Sequence, residues 1–210
     1  MFFLIVSPYR RVMELRDELR ALCGAGDVRE HLVEVAAILA EALRAVGIDP
    51  ILVGGGAAQF HTAGGYVSGD IDLVAAGNPQ QALERLGFER KGRYYVHPEF
   101  GLWVEFPSGQ LDPGESSVAV NVRGRKLLVI SAPDLLLDRL NGLKWGGAEV
   151  DGVTALLMLR LHPGIDDKEV RRRAAEQRVL DALNGLVEEI DSGDGPDVIV
   201  QRVRQRLRKP

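Results

Sequence analysis

The chain is poor in the residues that build disulfides and multi-thiolate metal sites. Cys23 is the only cysteine among 210 residues, which excludes an intramolecular disulfide and every zinc or iron–sulfur site that needs several cysteines. A reducing compartment fits this composition, and we expect a cytoplasmic protein. The histidines are scattered without the spacing of metal ligands, at His31, His61, His97 and His162.

Long hydrophobic runs are also missing. No apolar stretch approaches the roughly 18 residues that span a bilayer, so we expect no membrane partner. The opening MFFLIV is apolar, but no basic segment precedes it and Ser7 and Pro8 interrupt it, which is not the pattern of a signal peptide. Met13 begins a cleaner helical pattern, so residues 1–12 are a candidate extension ahead of the true start.

Neither sign of charge dominates. Twenty-six Lys and Arg against 30 Asp and Glu give a formal net charge of −4. Any binding of nucleic acid must therefore come from a local basic patch. Two basic runs are visible, KEVRRRAAEQR at 168–178 and RVRQRLRKP at 202–210. Each is either a solvated helix face or a contact for a phosphate backbone.

Hydrophobic periodicity divides the chain into three parts. Residues 1–47 carry two amphipathic helices, residues 48–131 mix strands with short helices, and residues 132–210 are helical. We therefore expect an α/β (α+β) fold with a mixed sheet, flanking helices and a C-terminal helical bundle. The predicted strands are 51–53, 70–76, 93–97, 102–106, 118–122 and 126–131. The predicted helices are 11–22, 28–46, 79–86, 133–145, 151–161, 168–190 and 196–208, with a short helix after the glycines at 54–56.

Asp70 and Asp72 form the most informative pair in the chain. They are two residues apart on a predicted strand, and the alternation of a strand turns both carboxylates to one side. Two adjacent like charges repel unless a cation lies between them. Oxygen ligands without histidine or cysteine favour Mg²⁺ or Mn²⁺, and Mg²⁺ commonly completes its shell with water and substrate phosphates. The pair therefore predicts a phosphate-bearing substrate.

Two further motifs extend this site. The predicted strand before Asp70 ends in Gly54, Gly55 and Gly56, which let the backbone approach a ligand, and the helix after them would aim its amides at an anion. Glu105 lies between Val104 and Phe106 on a predicted interior strand, where an unpaired carboxylate costs several kcal/mol. Should its strand lie beside that of the aspartates, Glu105 would be the third metal ligand and would also attract the proton of an attacking hydroxyl.

The ordered combination of these motifs resembles the polymerase-β-like nucleotidyltransferase superfamily. The matching segments are Val53-Gly54-Gly55, Asp70-Ile71-Asp72-Leu73 and Val104-Glu105-Phe106. The Ser68-Gly69-Asp70-Ile71-Asp72 version is most similar to stand-alone bacterial nucleotidyltransferases related to abortive-infection toxins. The resemblance covers residues 48–160 and leaves open whether Gly54-Gly55 or Gly55-Gly56 is the glycine pair.

The resemblance implies a nucleotidyltransferase-fold core and a metal-dependent transfer of a nucleoside monophosphate from an NTP to a hydroxyl. Asp70, Asp72 and Glu105 would be catalytic and would hold Mg²⁺ or Mn²⁺, while the glycines and Ser68 would contact the nucleotide. It also implies that Lys144 binds nucleotide phosphate and that Asp151 accompanies it. The residues alone allow Lys144 as a solvated or capping lysine and Asp151 as a helix N-cap.

Several roles remain open at this stage. The acceptor is an RNA, with a tRNA end as one candidate, or a protein hydroxyl, and a toxin-like role would add an antitoxin partner. A small-molecule nucleotidyltransferase that modifies an antibiotic hydroxyl and a non-catalytic binding module of the same fold are the alternatives. Trp103 and Trp145 are expected to pack in the core or between domains.

Overall fold

The computed structural model describes the backbone of residues 8–207 and the side chains of residues 11–207. Within this range the chain forms nine α-helices and seven strands. The helices are α1 (Pro8–Cys23), α2 (Leu32–Arg44), α3 (Gly54–His61), α4 (Gln80–Leu86), α5 (Ala132–Asn141), α6 (Glu149–Leu161), α7 (Lys168–Glu176), α8 (Leu180–Glu188) and α9 (Pro196–Leu207). The strands are β1 (Ile51–Val53), β2 (Ile71–Val74), β3 (Glu89–Lys91), β4 (Tyr94–His97), β5 (Leu102–Glu105), β6 (Ser117–Val122) and β7 (Arg125–Ile130).

The strands form one mixed sheet in the order β3-β4-β5-β2-β1-β7-β6. Strand β2 runs parallel to β5 and antiparallel to β1, and β1 runs parallel to β7. Hairpins add β4 to β5, β3 to β4 and β6 to β7. The predicted mixed α/β fold is confirmed, including the hairpin between the aromatic strands β4 and β5.

The chain divides into two compact units. The first contains the described chain to Phe60 together with Val67–Ile130, and the second contains His61–Tyr66 together with the chain from Ser131 onward. The first unit therefore holds the sheet, α1, α2, α4 and all of α3 except His61. The second holds α5 to α9, as expected for a helical bundle.

One face of the sheet forms the core of the first unit. Leu52 pairs with Leu73 and with Val129, and Ile71 pairs with Val104, so all five side chains point to the same face. Each is fully buried, and α2 packs against β7 on this core and against α1 and α4. Burying apolar area of this kind is the main favourable contribution to the free energy of folding.

Capping and ion pairing define the helices of the second unit. The Ser131 hydroxyl accepts a hydrogen bond from the Asp134 amide at the start of α5. The buried Asp134 carboxylate accepts one from Arg173 of α7 at 2.6 Å. Asp167 caps α7 through two backbone amides. Because a buried carboxylate needs such partners, these contacts fix α7 against α5.

Three details differ from the sequence-based prediction. The predicted helix 168–190 is two helices, because Arg178 adopts a left-handed conformation with φ 59° between α7 and α8. Strand β3 was not predicted, since all three of its residues are charged and exposed. Helix α3 includes the glycines in its first turn instead of following them. Of residues 1–12, the candidate extension ahead of Met13, residues 1–7 lie outside the described residues and residues 8–12 belong to α1.

Among residues 8–207, no helix combines the length and apolar character needed to cross a membrane.

His97 makes the stability of the first unit depend on pH. Its side chain is 3% exposed, its ring stacks on Phe100 with centroids 4.6 Å apart, and Phe88 contacts it edge-on at 5.1 Å. The Nδ1 atom has no hydrogen-bond partner in the described chain. Burial lowers the pKa of His97 below its usual 6.5, an effect that the Glu99 charge opposes.

We expect the free energy of unfolding to fall as the pH drops below about 6.5, because the unfolded chain then binds a proton that native His97 does not. Urea denaturation between pH 7.5 and 5.5 measures this loss. His97→Phe should reduce it, because the buried titrating group is then absent. A His97→Phe variant that loses as much stability as the wild type over this range would contradict the assignment.

Candidate functional site

The sheet register brings two of the predicted carboxylates together. Asp72 of β2 is the direct partner of Glu105 on the parallel strand β5. Partners on neighbouring strands lie about 4.8 Å apart and point to the same face of the sheet. The predicted adjacency of these two strands is confirmed. Both side chains are half-buried and face away from the fully buried core formed by Ile71 and Val104.

The same row continues across the sheet. Glu105 pairs with Tyr94 on β4, and Tyr94 pairs with Lys91 on β3. On the other side, Asp72 pairs with Val53, the last residue of β1. A basic, an aromatic and two acidic side chains therefore lie in one line on one face. We call this line the register row: Lys91, Tyr94, Glu105, Asp72 and Val53.

Asp70 is the first residue of the predicted strand 70–76, but the observed strand β2 begins one residue later. Asp70 therefore lies immediately before β2, where it contacts Ser68. The Ser68 hydroxyl lies 3.0 Å from the Asp70 carbonyl oxygen and 3.3 Å from its Oδ1 atom. The Ser68 amide donates to Gln59 Oε1 at 3.1 Å, and the Gln59 amide group donates to the Arg29 carbonyl. Ser68 is 2% exposed, so its hydroxyl positions Asp70, and its predicted contact with nucleotide stays a prediction.

Gly54 directly follows the register row and lies against Asp72. Its φ is 57°, and a Cβ atom built on it would lie 2.1 Å from Asp72 Oδ2 and 3.0 Å from Asp72 Cγ. A side chain is therefore excluded both by the backbone conformation and by the carboxylate. At Gly56 a Cβ atom would lie 2.8 Å from Leu52 Cδ1, so this glycine serves the packing of α3 on β1.

The helix after the strand presents unpaired amides. Gly54, Gly55 and Gly56 form the first turn of α3, and the first amides of an α-helix have no partner within the helix. Such a turn is suited to an anion. The glycine segment thus joins a close backbone approach to a turn that can bind phosphate.

Sequence analysis overlooked Arg93, a cation that lies beside the carboxylates. Its Nε atom lies 3.3 Å from Glu105 Oε1, and its side chain is 70% exposed. The guanidinium also donates to the Tyr94 hydroxyl, with its carbon 4.7 Å from the ring centroid. The Tyr94 hydrogen bond and the Glu105 charge raise the pKa of Arg93, with a smaller contribution from Asp72.

The donor set fits a hard divalent cation in its chemistry, because Asp70, Asp72 and Glu105 offer only oxygen. Within residues 8–207, however, no three His, Cys, Asp or Glu side chains are grouped closely enough to hold a metal ion. Glu105 is paired with Arg93 instead. A bound cation would therefore compete with Arg93 for Glu105, and metal binding by the three carboxylates stays a prediction.

Lys144 lies in the second unit, in the π-helical turn Gly142–Gly146 that follows α5. Its ammonium donates to both carboxylate oxygens of Asp181 at 2.7 Å and to the Arg178 carbonyl at 2.6 Å. To bind nucleotide phosphate, Lys144 would first have to leave these partners, so this role stays a prediction. Asp151 is not the N-cap of α6, because Ala148 occupies that position, and it binds Arg139 at 2.6 Å.

The basic runs of the second unit are neutralised by neighbouring acids. In α9, Arg202 contacts Glu189 and Asp194, Arg204 contacts Glu149, and Arg206 contacts Glu188 and Glu189. In α7, Arg171 pairs with Asp166, Arg172 pairs with Glu169 and Glu176, and Arg173 pairs with Asp134. These ion pairs favour the interpretation of the two runs as helix faces over the interpretation as contacts for a phosphate backbone. Arg208 and Lys209 lie outside the described residues.

The two tryptophans are not in the core. Trp103 is 41% exposed and Trp145 is 61% exposed, so the prediction that they pack in the core is wrong, and packing between domains stays a prediction. Trp103 precedes Glu105 by two residues on β5 and therefore lies on the same face as the register row. The alternation Leu102-Trp103-Val104-Glu105 carried this information, because Leu102 and Val104 alone supply the buried side of the strand.

Comparison with known proteins supports the fold. The structure is similar to the crystal structure of an antigenic nucleotidyltransferase-like protein from Paracoccidioides brasiliensis, with a TM-score of 0.54 and 18% sequence identity over 76% of this chain and 92% of that one. The chain thus has a nucleotidyltransferase-like fold, as the motifs predicted. No protein-family model and no curated protein sequence matches the chain.

Replacing Gly54 tests the close approach of backbone and carboxylate. Gly54→Ala should lower the free energy of unfolding by more than the about 1–2 kcal/mol that a left-handed alanine costs, because its Cβ atom also collides with Asp72. Gly47→Ala is the matched control, since Gly47 has φ 82° and nothing within 4 Å of a built Cβ atom. Chemical denaturation measures both.

The double variant Gly54→Ala, Asp72→Ala should recover most of the excess loss. A Gly54→Ala cost equal to that of Gly47→Ala, with no coupling to Asp72, would show that the two groups are not in contact.

Proposed function

We propose that this chain is a metal-dependent nucleotidyltransferase that moves a nucleoside monophosphate from an NTP to a hydroxyl. The observation that carries the proposal is the pairing of Asp72 with Glu105 on one face of the sheet, with Gly54 packed against the Asp72 carboxylate. The nucleotidyltransferase-like fold supports this interpretation of the arrangement. Transfer forms a bond from the hydroxyl oxygen to the α-phosphorus, breaks the bond between the α- and β-phosphates and releases pyrophosphate.

Each group of the site has a role in this proposal. Asp70, Asp72 and Glu105 would hold Mg²⁺ or Mn²⁺, and Ser68 keeps the Asp70 carboxylate in place. The bound metal would neutralise the phosphates and the charge that develops on the attacking and leaving oxygens. The amides of Gly54, Gly55 and Gly56 at the start of α3 would bind the triphosphate. Glu105 would accept the proton of the attacking hydroxyl.

We also propose that the acceptor is an RNA or protein hydroxyl and that the chain is the toxin-like member of a toxin–antitoxin pair acting in the cytoplasm. This part rests on the similarity of the segment Ser68–Asp72 to stand-alone toxin-related enzymes. Lys144 is the proposed additional phosphate ligand, and binding of NTP would have to replace its contact with Asp181.

A second candidate is a non-catalytic module that keeps the fold and binds a partner or nucleotide. The ion pair between Arg93 and Glu105 favours it, as does the lack of a three-ligand group within the described residues. In this case the arginine, and not a metal ion, offsets the negative charge of the row.

Labelled NTPs incubated with the protein, Mg²⁺ and total RNA or cell lysate measure transfer directly. Asp70→Asn and Asp72→Asn should each abolish labelling while the fold remains intact, because each removes a negative charge needed to hold the metal. Asp17→Asn, on the exposed side of α1, is the matched control and should transfer at the wild-type rate. Unaltered transfer by Asp72→Asn would contradict the catalytic assignment, and no labelling with any of the four NTPs would favour the binding module.

Arg93→Ala tests the competition at Glu105. We expect this variant to bind Mn²⁺ a few-fold more tightly than the wild type in the presence of NTP, because an exposed ion pair no longer opposes the metal. Metal-dependent shifts of the melting temperature or isothermal titration measure the effect. Arg90→Ala, at the opposite face of the edge strand, should have no effect. Equal affinity of Arg93→Ala and the wild type would mean that Glu105 is not a ligand.

A further inference from the structure

Tyr94, which is half-buried, and Trp103, which is exposed, form an aromatic pair on the sheet. Their ring centroids are 5.4 Å apart with the ring planes at 80°, and Trp103 is 41% exposed. The edge-to-face arrangement leaves part of the indole surface in water. Covering exposed aromatic area with a flat apolar ligand is favourable, so the pair offers a surface on which such a ligand can stack.

The pair lies beside the candidate site. Tyr94 is the direct partner of Glu105, and Trp103 is two residues before it on the same strand. The Cα atoms of Trp103 and Glu105 are therefore about 7 Å apart and their side chains share one face. This separation is comparable to the span of one nucleoside, from its base to its sugar hydroxyls. A base on the aromatic pair would leave its hydroxyl near the carboxylates.

Two basic side chains lie beside the Tyr94–Trp103 pair at the edge of the sheet. Lys91 is the direct partner of Tyr94, and Arg93 lies next to it in the chain. Lys91 makes no side-chain hydrogen bond or ion pair with any described residue, and Arg93 is 70% exposed. Lys91 differs in this from the arginines of α7 and α9, which acids of their own unit neutralise, whereas Arg93 is paired with Glu105. In a chain of net charge −4, this is the local patch that a polyanion requires.

We propose that Tyr94 and Trp103 stack an unpaired base at the end of a single-stranded nucleic acid, while Lys91 and Arg93 contact its phosphates. Aromatic side chains interleaved with basic ones are the usual surface for single strands. The inference rests on the proposed function and deepens it, because it makes the acceptor a polynucleotide end. A protein hydroxyl offers neither a base for the aromatic pair nor a phosphate for Lys91.

The tryptophan content of the chain provides a direct test. Trp103 and Trp145 are its two tryptophans, so Trp145→Phe leaves Trp103 as the sole indole and Trp103→Phe leaves Trp145. We expect a short oligoadenylate to quench the fluorescence of the Trp145→Phe protein and not that of the Trp103→Phe protein. The same oligomer with an abasic terminal nucleotide, which keeps the charge and lacks the base, should quench much less.

Affinity measurements with a labelled oligomer complete the design. Trp103→Ala should weaken binding by about five- to a hundred-fold, the usual effect of losing one stacked base, while Trp103→Phe should keep most of the affinity. Lys91→Ala should lower the slope of log affinity against log salt concentration by about 0.7, as expected for one phosphate contact on a single strand. Asp112→Ala, at an exposed position between β5 and β6, is the control for a change of charge.

The test separates this inference from the proposed enzyme activity. In the Asp72→Asn background, which should not transfer, quenching of Trp103 by the oligomer should persist. Equal quenching by intact and abasic oligomers would overturn base stacking. Quenching by ATP alone, with no response to the oligomer, would assign the stacked base to the donor nucleotide and overturn the acceptor assignment. No quenching by either ligand, or transfer to protein that Trp103→Ala leaves unchanged, would also overturn it.

Discussion

The candidate site depends on the register between two parallel strands. Side chains alternate along a strand with a period of two, so a slip of one residue between β2 and β5 would turn Glu105 toward the opposite face from Asp72. The apolar residues on either side prevent this slip. Ile71 and Val104 pair with each other and are fully buried, and exchanging them for their polar neighbours would place carboxylates in the core. The hydrophobic face thereby fixes the position of the charged one.

The parts of the site that could be predicted from sequence are those fixed by local alternation and glycine chemistry. The alternation of the Asp-apolar-Asp segment predicted a half-buried strand. A carboxylate between the apolar residues Val104 and Phe106 predicted that Glu105 has a polar neighbour in the sheet. The close contact of Gly54 with Asp72 follows from the same logic, although sequence alone did not select this glycine from the three. The predicted fold followed because these motifs occur in a fixed order along the chain.

The parts that could not be predicted depend on contacts between distant segments. Strand β3 carries no apolar residue and exists because it pairs with β4, so its sequence has no strand periodicity of its own. The partnership of Lys91 and Tyr94 with the carboxylates emerges only when three strand pairings are combined. The left-handed Arg178 that divides α7 from α8 has no sequence signature, since arginine rarely adopts that conformation.

The charged edge strand also affects how the molecule behaves in concentrated solution. A free sheet edge offers unpaired amides and carbonyls to a strand of another molecule, and charged residues on a short edge strand discourage such pairing. Glu89, Arg90 and Lys91 make up the whole of β3 and are all exposed. An edge occupied in this way resists growth of the sheet into fibrils. Replacing the charged residues of β3 with neutral ones would therefore make the protein more prone to aggregate, whether or not a ligand is bound.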